Sequence, residues 1–358
     1  ERPQLQTVLN VPIEAVKEIE PGHALVVKRS GEVKMEQINE PGQKTPCSFE
    51  RIYFSRGTDR DIYQERKKLG RSLVRPVLDA INYDLENTVF SYIPNTAEIA
   101  FHGLVEGVKD RVGERMKYHL LEEPRLTAER IDELLSFQPR IEKVMTKDAK
   151  MRTFITADSD REDLVAKVYD TTYGLVKPTD TLVVLDDSIV RGTTLRASIL
   201  RILDRLGMKK IVIVSSAPQI RFPDCYGIDM SKMKDFVAFE AAVELMREAG
   251  REDVLSAIYK ACKENEDLPH DEVKNQVTRL YEPFSDQQIS EKIAQLLTPD
   301  GMKAEVQIIF QSVEGLHQAC PGHRGDWYFT GNYPTPGGNR VVNRSFINYI
   351  ENSDARPY

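Results

Sequence analysis

The chain has 358 residues, 41% of them hydrophobic, with a mean hydropathy of −0.43 and a formal net charge of −7. That is enough chain for one large or two modest domains with a substantial core, and no uninterrupted apolar run reaches the length of a membrane span. The acidic balance argues against a nucleic-acid surface as the molecule's main business.

The four cysteines (Cys47, Cys225, Cys262 and Cys320) are too sparse for a disulfide scaffold, and no secretory signal precedes them. A reducing cytoplasm is the expected compartment. The chain opens on Glu1 rather than Met. It is therefore expected to be a fragment, a processed product or the ordered part of something longer.

In chain order, residues 1–46 carry a Pro21-Gly22 turn, a strand pattern over ALVVKRSGEVKME with its own Ser30-Gly31 turn, and a second turn at Pro41-Gly42. Residues 61–81 predict a helix, with Ile62, Leu69, Leu73, Val77 and Leu78 apolar. TVFSYI (88–93) predicts a buried strand and Pro94-Asn95-Thr96 a turn. Ala97, Ala100, Phe101, Leu104, Val105 and Val108 then form a helical stripe. Residues 141–162 are polar and charged, with no period after Met145, and the next helix-like segment is 163–170.

Residues 181–194, TLVVLDDSIVRGTT, are the most informative stretch. An apolar strand from Thr181 to Leu185 ends in Asp186 and Asp187. A loop of small and hydroxyl residues follows, then a helix carrying Leu195, Ile199, Ile202 and Leu206 on one face. Gly207 stops that helix, and IVIVSS (211–216) reads as the next strand. Residues 236–300 read as helical, a region for which a lid, an oligomer contact and plain core packing are all open. The Gly-, Pro- and Asn-rich tail, 320–358, reads as irregular. Strands alternating with helices predict an α/β fold, a parallel sheet with helices on both faces. Ligands in such sheets sit beyond the carboxyl ends of the strands, so the turns after 93 and 187 are expected to share one crevice.

The loop after Asp187 suits a sugar phosphate. The first N–H groups of a helix have no intrahelical partner, and the macrodipole leaves partial positive charge there. A phosphate dianion fits that position without a dedicated lysine. Gly192 can take φ > 0 and let a ligand approach the backbone, while Thr193 or Thr194 can cap the helix or donate hydroxyls to a phosphate. The adjacent carboxylates suit ribose hydroxyls, or a Mg²⁺ bridging to a diphosphate. A bare Asp-Asp-Ser is more often a strand-end cap, but the whole strand–loop–helix unit is far more specific. Neither a Walker A loop nor a dinucleotide fingerprint is present.

LDDSIVRGTT resembles the phosphoribosyl-pyrophosphate (PRPP) loop of type I phosphoribosyltransferases, and its SIVRGTT form resembles the amidophosphoribosyltransferase family in particular. PCSFERIYFSRGTDRDIYQERKKLG (46–70), SYIPNTAE (91–98), MRTFI (151–155), APQIRFPDCYGIDM (217–230), SVEGL (312–316) and FTGNYPT (329–335) resemble the same family in the same order. The likeness spans nearly the whole chain apart from about 240–303.

That resemblance implies a type I phosphoribosyltransferase-like sheet in four parts. Residues 1–46 are the tail of a glutaminase domain, 47–235 the phosphoribosyltransferase core, 236–303 a helical insertion, and 304–358 a C-terminal strand with an irregular extension. It implies transfer of an amino group to PRPP, giving phosphoribosylamine and pyrophosphate, the first step of purine synthesis. The amine is ammonia, drawn from glutamine in the full-length enzyme. The family's glutaminase uses an N-terminal cysteine that this chain lacks, so these residues alone are expected to use ammonia.

Asp186 and Asp187 would hold the ribose hydroxyls and Mg²⁺, and Ser188, Ile189, Val190, Arg191, Gly192, Thr193 and Thr194 would cradle the 5′-phosphate. Asn95 and Thr96 lie in the family's pyrophosphate loop, where Ala97 replaces a common serine. Residues 143–161 match a loop that closes over PRPP, from which Lys147, Lys150 and Arg152 would neutralise the departing pyrophosphate. The family's basic run beyond it is thinner here, with Lys167 surviving. Arg221 would line the same crevice. Some members hold a [4Fe–4S] cluster on four cysteines. Cys47 and Cys225 match two ligands, but the other pair is replaced near Gly325 and Trp327, with only Cys320 and His323 nearby, so no cluster is expected. A homo-oligomer, purine nucleotide inhibitors, and no nucleic-acid or membrane partner are further implications. The alternative is a PRPP-binding regulatory or scaffold protein without turnover.

Overall fold

The computed structural model describes residues 2–123, 127–147, 169–225 and 230–358. Among them no helix is long and apolar enough to cross a membrane. An N-terminal hairpin pairs β1 (His23–Val27) with β2 (Val33–Gln37), turning at Gly31. The main sheet contains β3 (Thr88–Tyr92), β4 (Arg140–Ile141), β7 (Thr181–Asp186), β8 (Lys210–Ser215) and β9 (Glu305–Phe310). Between them β5 (Met145–Lys147) and β6 (Tyr169–Thr171) form a separate antiparallel pair.

The main sheet runs β4-β3-β7-β8-β9, and every pairing is parallel, so the α/β class read from the alternating pattern is the one observed. Period-two alternation distributes its side chains between two cores. Leu182, Val184, Ile211, Ile213 and Ile308 cluster with Leu200, Leu203, Phe239 and Ile293. Val183, Leu185, Val212 and Val214 cluster with Leu73, Val77, Phe101 and Leu104. Both faces are therefore covered, as a parallel sheet requires. Helices Val237–Glu248, Glu252–Glu266 and Asp286–Leu297 contribute Phe239, Ile258 and Ile293 to the first core, so the helical stretch after 236 packs against the sheet.

Three local expectations change. The helix expected over 61–81 is two helices, Arg60–Ser72 and Val74–Ala80. Pro76 has no N–H for the Ser72 carbonyl and its ring crowds that turn, so the chain breaks at Leu73. The tail is not irregular. Thr335 caps a helix over Pro336–Ile350, with proline pre-set in its first turn. Val341, Val342, Phe346 and Ile347 are buried there, at helical spacing, despite the local glycines. Of the helix-like segment 163–170, residues 163–168 lie outside the described residues, and Tyr169 and Asp170 are in strand β6.

Helix Arg60–Ser72, capped by Asp59, crosses helix Glu98–Glu122 at close range because two glycines face each other's backbone. A Cβ on Gly70 would lie 1.7 Å from the Ala100 carbonyl oxygen, and one on Gly103 would lie 1.9 Å from that of Lys67. This crossing fixes the start of the second helix, and with it the turn at 94–96. We expect Gly70→Val to cost at least the about 1–3 kcal/mol typical of overpacking, because backbone cannot yield as a side chain does. Thermal denaturation should read a clear fall in Tm, whereas Gly113→Val, which meets nothing within 4 Å, should change it far less.

Candidate functional site

β3 and β7 are neighbours, but the chain leaves β3 toward β4 and leaves β7 toward β8. Their connections diverge and open a crevice at the carboxyl end of the sheet, the usual ligand position in open α/β folds. The cleft there has a volume of about 550 Å³. Its lining includes Asn95 and Thr96 from the turn after β3, every residue from Asp186 to Leu195, and Lys147 and Tyr169 from the small hairpin. The two turns expected to meet do meet.

Asp186 ends β7 with its carboxylate Oδ1 accepting from the Asp187 N–H at 2.8 Å. The Asp187 carbonyl accepts from the Ser216 hydroxyl at 3.1 Å, which pins the second acid to the end of β8. Half-buried and beside a like charge, the Asp186 carboxyl is pushed well above the ordinary carboxylate range, first by desolvation and then by Asp187. Asp187 Oδ2 is buried with no hydrogen-bond partner among the described residues. Buried polar atoms are normally satisfied, so an orphaned carboxylate oxygen in a cleft fits a ligand donor or a cation. Among the described residues there is no cluster of three or more metal-ligating side chains. A two-carboxylate site of this kind suits Mg²⁺, which keeps several waters and takes substrate oxygens as further ligands.

The loop 188–194 wraps the opposite wall. Gly192 has φ +67°, and a Cβ there would lie 2.4 Å from Leu297 Cδ2, so only glycine lets the loop turn tightly over helix Asp286–Leu297. The helical segment that follows starts with a π-helical turn, Leu195–Ile199, and continues as Leu200–Asp204. Thr194 makes no side-chain capping bond there. Of the two roles open to that threonine, capping is not the one taken. Helix Glu98–Glu122 likewise starts at Ala97 with no side-chain cap, next to the cis Pro94–Asn95 peptide. Two helix N-termini therefore face the cleft with backbone donors not answered by a capping side chain.

Several lining groups carry no signal in hydrophobic periodicity. Tyr53 and Phe54 are 49% and 43% exposed and wall the cleft from the turn Glu50–Phe54, backed by the buried Phe49. Arg66, buried on helix Arg60–Ser72, donates from Nε to the Arg51 carbonyl at 3.0 Å and from Nη2 to the Ser55 carbonyl at 2.6 Å. Its charge also faces Asp187. Lys147 stands 5.9 Å from the Tyr169 ring centre, and the Tyr169 hydroxyl is raised by burial and then by the two aspartates. The clue to the aromatic wall lay in FERIYFSR, an aromatic-rich run too short to have a period.

Arg221 is placed elsewhere. It ion-pairs with Asp286, lies 5.1 Å from the Tyr281 ring centre, and lines a groove along β9 rather than this cleft. Its backbone N–H is drawn to the Tyr328 carbonyl at 2.8 Å, which turns the chain away from the strand ends. Lys150 and Arg152 lie outside the described residues, as do the MRTFI segment and Lys167.

The cysteines do not form a four-thiolate site. Burial pushes Cys47 and Cys225 up to about 11, and Cys262 and Cys320 up to about 12. Cys47 bridges to Gly325, over which the fully buried Trp327 ring is packed. Cys262 sits apart, donating to Asn343 Oδ1 at 3.6 Å. The donor set does not fit a [4Fe–4S] cluster.

Two substitutions should move stability in opposite directions. Gly192→Ala should cost about 1–3 kcal/mol through forced positive φ and lower Tm. Asp186→Asn should raise Tm at neutral pH. A carboxyl whose folded pKa is raised loses folding stability as pH climbs through the unfolded value, and the full penalty is present above the folded one. The gain of the asparagine variant should therefore vanish below about pH 4, where the free carboxyl is protonated. Thermal melts across pH check both.

No family model matches the chain. It is 29% identical over 244 residues to an amidophosphoribosyltransferase of Pasteurella multocida, a match covering 65% of this chain and 42% of that protein. It is also 29% identical over 249 residues to that of Bacillus subtilis, covering 67% and 44%, and 27% identical to that of Escherichia coli, covering 65% and 41%. The solved glutamine PRPP amidotransferase from B. subtilis, complexed with ADP and GMP, superposes with a TM-score of 0.53 at 24% identity, covering 89% of this chain and 53% of that one. The chain thus spans about two fifths of the length of the curated relatives it matches. Over some two thirds of its own length it is similar in sequence to amidophosphoribosyltransferases, and it shares the phosphoribosyltransferase-type fold of the solved amidotransferase.

Proposed function

We propose that this cleft binds PRPP with Mg²⁺ and transfers an amino group to it, releasing pyrophosphate and forming phosphoribosylamine, the opening step of purine synthesis. The observation that carries the reading is the pairing of two half-buried adjacent acids with an uncapped, glycine-containing loop at one topological switch point. No covalent protein nucleophile is needed. The C1–O bond to pyrophosphate breaks as a C1–N bond to ammonia forms, and positive charge grows on the ribose ring.

Asp186 and Asp187 accept from the ribose hydroxyls and face that growing charge, where pre-set dipoles act most strongly. Backbone donors of 188–194 hold the 5′-phosphate, with the Thr193 and Thr194 hydroxyls. The open N-terminus of helix Glu98–Glu122, with Asn95 and Thr96, receives the pyrophosphate, and Lys147 adds positive charge. A divalent cation held by Asp186 and Asp187 would neutralise charge on the leaving group. Residues 47–235 with β9 form the transferase core in this reading. Residues 1–46 are the end of a glutaminase domain, 236–303 a helical insertion and 304–358 the closing extension. A cytoplasmic homo-oligomer inhibited by purine nucleotides belongs to the same reading.

One observation favours the alternative of PRPP binding without turnover: Ala97 is fully buried and puts no hydroxyl at the pyrophosphate turn. Pyrophosphate release from PRPP, Mg²⁺ and ammonia separates the two. Turnover is expected, with Asp187→Asn lowering kcat on the order of 10²-fold or more. PRPP binding with no release under any amine would establish the alternative, and no binding would defeat both.

A further inference from the structure

At one end of the sheet order β9, among the described residues, pairs with β8 alone. The Glu305 N–H donates to the Lys209 carbonyl and the Gln311 N–H to the Ser215 carbonyl. Odd-numbered residues of β9 thus turn their backbone groups toward β8, and by strand alternation Val306, Ile308 and Phe310 turn theirs outward. They face a groove of about 1280 Å³. One wall is helix Asp286–Leu297 with the turn after it, and the other is Pro76, Asp79 and Ala80.

Edge strands are usually blunted by lysine, proline or a bulge, because unpaired backbone invites another strand. EVQIIF has none of these within it. The groove's charge is also one-sided. Asp79, Asp286, Glu291, Asp300 and Glu305 line it; among the described residues its one basic lining residue, Arg221, is bound to Asp286, while Asp79 pairs with Arg75 and Glu305 with Lys210 from outside the groove. Glu291 and Asp300 have no ion-pair partner among the described residues.

We propose that this edge is a docking site for an extended, lysine- or arginine-rich segment of a partner polypeptide, which adds to the sheet beside β9. Three outward rungs supply main-chain hydrogen bonds and the acidic walls select the side chains, the division of labour seen in strand addition. A second copy of this chain is disfavoured as occupant, since pairing β9 with itself would set like-charged walls together. The inference does not depend on the reading of the cleft.

The test uses the full chain and a fluorescein-labelled seven-residue peptide of alternating lysine and valine, followed by anisotropy. Saturable binding is expected. It should weaken at least tenfold with glutamate in place of lysine, or with alternate amides N-methylated, and at least fivefold in the Glu291→Lys/Asp300→Lys variant. Hydrogen exchange should slow at residues 306, 308 and 310 in the complex. Ile308→Pro should abolish binding, and should that variant misfold, the N-methylated peptide still decides. Absent binding, equal binding of the N-methylated peptide, or protection elsewhere overturns the proposal. So does self-association of the free chain with those three amides protected.

Discussion

The arrangement rests on one topological constraint, two adjacent parallel strands whose connections depart in opposite directions. Among the described residues β3 leads to β4 on one side and β7 to β8 on the other, so the turn at 94–96 and the loop at 186–194 face each other across the cleft. β7 is buried from Thr181 to Leu185, and Asp186 is where it first meets the cleft. The acids are held there by neighbours they did not choose: a buried β8 on one side, pinned through Ser216, and the Arg66 charge beyond Asp187. An apolar strand thus delivers a pair of like charges to the cleft, the kind of setting in which perturbed carboxyls mark candidate ligand sites.

The supporting structure is correspondingly stiff. Gly70 and Gly103 let two helices touch backbone to backbone, which sets where helix Glu98–Glu122 begins. Leu297 under Gly192 ties the opposite loop to a helix from the 236–303 stretch. That stretch is therefore part of the site's foundation as well as of the sheet's cover. Arg66 ties the aromatic turn to the cleft's acidic end by gripping the carbonyls of that turn while its charge faces Asp187.

Much was legible along the chain because the signals were local. The apolar runs at 88–93 and 181–185, the Asp-Asp ending and the glycine-containing loop each express one strand or one turn. Arg221 failed for the opposite reason. Its position after a strand suggested the cleft, but Asp286, 65 residues away, holds it along β9. The tail failed because glycines and asparagines predict loops until a core exists to bury Val341, Val342 and Phe346. Tyr53 and Phe54 had no periodic signature, since a single turn cannot show one.

The sequence by itself determined the α/β class, the positions of the principal strands along the chain, and the chemistry available at the end of β7. These depend on neighbours within a few residues, where backbone periodicity and side-chain type suffice. Only the tertiary structure decided that, among the described residues, Asp187 keeps an oxygen unanswered and β9 is left as an edge, that the aromatic turn walls the cleft, and that Arg221 lies outside it. Those follow from strand order and helix crossing, which are set by contacts between residues tens to hundreds of positions apart, and no local pattern encodes which of them will meet.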